Sequence, residues 1–198
     1  MHESFQPAVR NPRYEERDAS ALPRKLLGIL HSRERVVDRH TSHVHPNPAI
    51  DKYLPMALAK IDGRGREFFI ETIDFGETIG GANCVETTDG DDIIYARRVG
   101  RSGLTRFVRN RERTDTSQLT VILKKIEDGY ILISGFVGPR AEPEPWDPKA
   151  TPAAAEFWKS HAVVWGSEPV GPGSETTTPE TQPNIQTVNQ SPSAPKNS

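Results

Sequence analysis

Residues 118–137 read Q-L-T-V-I-L-K-K-I-E-D-G-Y-I-L-I-S-G-F-V. Two runs rich in β-branched residues, joined by E-D-G, are the strongest hairpin signal in the chain. Strand alternation allows Val121 and Leu123 to share a face with Ile131 and Ile133. Such a pair belongs at the centre of a sheet, so the rest of the chain has to supply further strands and a helical cover. Lys124, Tyr130 and Ser134 also lie on this hairpin, and whether each serves core or site depends on the face it takes.

The remaining punctuation fills in that frame. The residues A-L-P-R-K-L-L-G-I-L-H at 21–31 place Leu22, Leu26, Leu27 and Leu30 near helical spacing, with Ser20 as N-cap and Pro23 in the first turn, which predicts a short helix. Arg35 to Arg39 reads as extended. Residues 49–61 carry a helical pattern broken by Pro55, so either a short helix or a strand over 56–61 is expected. Gly63 to Gly65 reads as a turn, and Glu67 to Phe75 as a strand forming a hairpin with the segment before it. Asn83–Thr87 and Ile93–Arg98 read as strands around the turn T-D-G-D-D, in up-and-down antiparallel order. Thr151 is positioned to cap a helix over 153–160, with Phe157, Trp158 and Trp165 packing back on the sheet.

The fold expected is one α+β domain over residues 21–165. It has a twisted antiparallel sheet of five or six strands, one or two N-terminal helices and a C-terminal helix. A chain of 198 residues with only 34% hydrophobic residues leaves room for polar ends. Residues 1–20 read as a mobile arm and 166–198, rich in Pro, Thr and Ser, as a disordered tail. A lone Cys84 forms no internal disulfide, and no signal-like start or long apolar run occurs. These features point to a cytoplasmic protein with no membrane partner.

Charge is unevenly placed. Arg97, Arg98, Arg101, Arg106, Arg109, Arg111 and Arg113 face only Glu112 within one stretch, a local charge of +6 in a chain of net charge −2. Guanidinium groups suit phosphates because each offers a planar fork of donors, which makes RNA or another polyanion the natural partner. Arg97, Arg101, Arg106, Arg109 and Lys124 are the candidate nucleic-acid contacts. The bland alternative is a solvated face paired with Asp89, Asp91, Asp92 and Asp115. The G-R-S-G-L-T turn at 100–105 could aim backbone N–H groups at an anion, but it lacks the lysine and spacing of a P-loop.

His43 and His45 sit two apart, so in extended chain their rings share a face, a geometry open to acid–base work. His40 could join them only if the loop folds back. Nothing at useful spacing completes a metal set, and no cofactor or metal is expected. Metal-free RNA cleavage needs a base, an acid and a cation at the phosphate. His43, His45, an arginine such as Arg98, and the hydroxyl of Thr105 or Ser134 are the candidates. Glu142, Glu144, Asp147 and His161 could form a further group, but Pro143, Pro145 and Trp146 read as a stiff strap laid along a sheet edge.

The runs L-T-V-I-L-K-K and G-Y-I-L-I-S-G-F-V-G, followed by E-P-W-D and F-W-K-S-H-A-V-V-W, resemble a widespread bacterial family of small uncharacterised proteins, over residues 68–165. That resemblance implies a shared domain and no particular activity. A helix, a meander with a basic crossing and a last strand carrying Ser134 are also similar to the barnase/EndoU/colicin/RelE-like (BECR) ribonucleases of toxins. The likeness implies an RNA endonuclease with His43, Arg98, Thr105 and Ser134 on one sheet face; a cognate inhibitor protein is a partner that the sequence leaves open. The alternatives are a catalytically silent relative, or a non-catalytic module binding nucleic acid or protein through the arginine strip.

Overall fold

The computed structural model describes residues 24–38 and 47–179. In chain order it contains β1 (Leu26–Ile29), β2 (Arg35–Asp38), α1 (Pro48–Leu58), β3 (Phe68–Asp74), β4 (Gly80–Ala82), β5 (Cys84–Glu86) and β6 (Ile93–Ala96). Then follow β7 (Thr105–Val108), β8 (Thr114–Thr116), β9 (Gln118–Ile126), β10 (Gly129–Val137), α2 (Pro152–Ser160) and β11 (His161–Val164). The result is a single α+β domain. The strands form a five-stranded sheet, β1-β2-β10-β9-β3, a four-stranded sheet, β5-β11-β7-β6, and the ribbon β4-β8.

The expected hairpin is β9–β10, and β10 is the middle strand of the larger sheet. Its register departs from plain alternation at one point. Leu132 pairs with Leu123 but Ser134 with Ile122, so Ile133 is bulged out and 43% exposed. A bulge shifts every later residue by one face. Tyr130 and Leu132 precede the bulge, and the register of the turn, which pairs them with Lys125 and Leu123, puts them rather than Ile131 and Ile133 in the core with Val121 and Leu123; Ile131 is buried on the opposite face.

The up-and-down antiparallel order gives way to mixed sheets, because β2 runs parallel to β10 and β11 parallel to β7. β3 pairs with β9, and no hairpin joins it to the preceding segment, which is α1 and a turn. The helix expected over 21–31 is replaced by β1, antiparallel to β2. Gly28 explains part of this: it weakens a helix, and here a side chain at 28 would meet Leu58 Cδ1 at 2.9 Å, so its absence lets β1 lie against α1.

α1 resolves the ambiguity at Pro55 in favour of a continuous helix. Asn47 caps it, its side chain accepting the Ala49 N–H at 3.0 Å, and Pro48 opens the first turn. Pro55 removes one hydrogen bond, at a cost of about 3 kcal/mol. Against that, Ile50, Tyr53, Leu54, Ala57 and Leu58 form a buried stripe, and burial of each large apolar side chain contributes roughly 1.5–3 kcal/mol. The stripe wins, and it covers the inner face of the larger sheet.

α2 begins as its sequence predicts, with Thr151 Oγ1 accepting the Ala154 N–H at 3.2 Å. Trp158 packs with Ile94, Ala96, Phe107 and Val163 in a second core, with Phe157 and Trp165 at its margin. The described chain continues beyond residue 165, past the point where its composition predicts a tail to begin. Residues 166–179 lie against β6, with Tyr95 paired to Thr176 and Arg98 to Val170. No helix among the described residues is long and apolar enough to cross a membrane.

Candidate functional site

The arginine strip is cut in two by the hairpin that carries it. Arg97, Arg98 and Arg101 belong to the loop joining β6 to β7, whereas Arg109, Arg111 and Arg113 follow β7 at its other end. Arg106 sits between them on β7. One continuous cationic face is therefore not what the strip makes.

At the loop end the sequence places a carboxylate it could not advertise. Glu144, only 7% exposed, is paired with the Arg98 guanidinium. Its Oε2 accepts the Thr105 hydroxyl at 2.5 Å and the Trp146 indole N–H at 2.9 Å. Arg98 Nε also donates to Thr105 Oγ1 at 3.1 Å. Burial holds the Arg98 guanidinium below its ordinary pKa; nearby Glu168 opposes that shift and Arg101 adds to it. Trp146 is pressed onto the loop so closely that a side chain at Gly103 would meet its Cγ at 2.1 Å. The strap E-P-E-P-W thus closes on β7 through a satisfied, buried ionic network.

Beside this network lies a cleft of about 390 Å³ whose walls include Tyr95, Leu104, Arg106, Trp146, Trp158 and Lys159, with Pro179 at its margin. Trp158 donates its N–H to the carbonyls of Glu142 and Pro143, both at 3.0 Å. Both indoles thus have their polar edge fixed inward by the strap, and their rings contribute apolar wall. Arg106 is anchored by donation to Thr87 Oγ1 at 2.9 Å and the His161 carbonyl at 2.8 Å. Lys159 pairs with Glu156 at 2.6 Å on the exposed surface.

The other expected contacts divide. Arg109 pairs with Glu175 at 3.2 Å and lies 5.8 Å from the Trp165 ring. Arg111 pairs with Asp91 at 2.7 Å, which holds that carboxyl below its usual range. Arg97, Arg101 and Arg113 are exposed and make no ion pair among the described residues. Lys124 and Ser134 are on the larger sheet, on the face turned from α1, and Tyr130 is on the inner face. Ser134 and Thr105 thus occupy different sheets, so the described residues bring Arg98 to Thr105 but not to Ser134. His40, His43 and His45 lie outside the described residues.

His161 is committed locally, its ring stacked on Phe157 at 3.8 Å and its Nδ1 3.0 Å from the Phe157 carbonyl oxygen. Among the described residues, no group of three or more His, Cys, Asp or Glu side chains could hold a metal ion. Sequence reasoning took Glu144 for part of the strap and missed that it organises Arg98 and Thr105. Its one signal, an acid between two prolines and ahead of a tryptophan, predicts extended chain without saying which side chain turns inward. Comparison with family models, curated proteins and solved structures finds no match to this chain.

Proposed function

We propose that the chain is a binding module for single-stranded RNA, using the Trp-walled cleft and the loop arginines beside it. One observation carries this reading: Tyr95, Trp146 and Trp158 wall a cleft that also holds Arg106 and Lys159. Exposed Arg97 and Arg101 lie in the loop whose flanks, Tyr95 and Leu104, are part of that wall. Aromatic surfaces for bases beside cations for phosphates are what sequence-tolerant single-strand binding requires. The test is fluorescence anisotropy of a labelled oligoribonucleotide in EDTA across a salt series. Affinity should fall steeply with salt, and Arg97→Ala/Arg101→Ala should reduce the log–log slope by about 1.4, roughly 0.7 for each phosphate that is no longer neutralised. No binding at low salt refutes the reading.

A metal-independent endonuclease of toxin type, the BECR-like reading, is the second proposal. It draws support from Arg98 and Thr105 meeting at 3.1 Å, although Glu144 holds both. It also needs His43 or His45, and a cognate inhibitor protein would go with it. The same reactions decide: RNA cut by the wild type and spared by His43→Ala/His45→Ala supports the enzyme, and RNA bound but intact supports the module.

A further inference from the structure

We propose that residues 168–179 are a built-in competitor for the arginine strip beside the cleft, an acidic segment that RNA has to displace. The inference rests on the RNA-binding reading and concerns the regulation of that same site. The segment is tied to β6 and its loop by backbone bonds. Tyr95 and Thr176 exchange N–H···O bonds of 2.7 and 2.8 Å, Val99 donates to the Pro169 carbonyl at 3.0 Å, and Gly171 donates to the Arg97 carbonyl at 2.8 Å. Its charges fall on the strip. Glu175 pairs with Arg109 at 3.2 Å, and Glu168 acts electrostatically on Arg98. At its far end Pro179 borders the cleft itself.

The segment therefore sets a carboxylate on Arg109 and another near Arg98, two members of the strip that lie on either side of the cleft arginine Arg106 in sequence. It contains two acids and no lysine or arginine. It is also lightly held. The attachments at Val170 and Thr176 are isolated bridges, the turn between them, with Gly173 at φ +66°, is tied by the Arg97 N–H donating to Ser174 Oγ at 3.1 Å, and Val170 is the side chain packed against the second core. Elements with so little apolar burial open at low free-energy cost. A segment serving only to cover the β6 edge would need neither acid placed against an arginine.

The test uses the full chain. Glu168→Gln/Glu175→Gln removes the competing charge, and Thr176→Pro removes an N–H that holds the segment to Tyr95 while leaving its charge intact. Both variants should bind the labelled oligoribonucleotide about tenfold more tightly than wild type at low salt. Saturating RNA should accelerate hydrogen exchange at the wild-type Thr176 amide at least tenfold. Wild-type binding that neither variant improves, with Thr176 protection unchanged by RNA, overturns the competitor and leaves the RNA-binding reading standing. Absence of RNA binding in wild type and both variants overturns the RNA-binding reading, and the competitor with it.

Discussion

Arg98→Met should cost about 3 kcal/mol at neutral pH, because it strands a buried carboxylate. Breaking a buried ion pair from one side typically costs about 3–5 kcal/mol. The lower end applies here: Glu144 keeps Thr105 and Trp146 as donors, and Arg98 is itself 20% exposed while Glu144 is 7% exposed. Urea unfolding followed by tryptophan fluorescence reads the deficit directly, since Trp146 lies in the network. One control separates a stranded charge from poorer packing. The double variant Arg98→Met/Glu144→Gln should recover about 1 kcal/mol or more by removing the uncompensated charge. A deficit under about 1 kcal/mol, or one that is unrelieved in the double variant, would refute the network as the clamp between strap and β7.

Gly103→Ala should destabilise by roughly 2–4 kcal/mol, because the new methyl falls within 2.1 Å of Trp146 Cγ and drives the indole from Glu144; urea unfolding checks it. Gly129→Ala should cost roughly 2–4 kcal/mol in the same assay, since Gly129 has φ +145° and a Cβ there would meet the Arg35 carbonyl oxygen at 2.4 Å. Burial pushes the Cys84 thiol up to about 11 from 9.0, so native protein should alkylate about a hundredfold more slowly near neutral pH than unfolded chain, measured with iodoacetamide. The same shift sets a sign for stability. Between those two pH values the unfolded chain has released a proton that the folded one keeps, so stability falls as pH rises through that window. The total decrease is on the order of 2–3 kcal/mol and should be absent in Cys84→Ala.

The β9–β10 hairpin and the cap of α2 were legible because their signals are local: β-branched runs around a turn, and a threonine ahead of a proline. Features decided by competition with the local pattern were not. Residues 21–31 show helical spacing, but Val36 and Val37 on β2 offer Leu26–Ile29 a ladder, and Gly28 admits the close approach of Leu58. At Ile133 a bulge absorbs one residue, and no feature of I-L-I-S-G announces it. Pro55 was correctly unfavourable and still overridden, since the cost of one missing hydrogen bond is set by chemistry while the gain from a buried stripe depends on the sheet beneath it.

The arginine strip shows the same limit applied to function. Seven arginines close in sequence suggest one anion site, yet the partners that decide their availability lie far away: Glu144 for Arg98, the His161 carbonyl for Arg106, Glu175 for Arg109 and Asp91 for Arg111. One of these is a fold contact that a ligand cannot release without opening the domain, since Arg98 is clamped under the strap, whereas Arg106 commits a single terminal nitrogen to Thr87 and the His161 carbonyl and still lines the cleft. The pair with Glu175 is different, because the segment supplying it hangs on isolated bridges. On the competitor proposal, seating of residues 168–179 decides whether Arg109 adds to the cationic surface that Arg97 and Arg101 already offer. On that proposal, oligoribonucleotide affinity read by anisotropy should depend most on Arg97, Arg101, Arg106 and Arg109, and least on Arg98, which Glu144 holds.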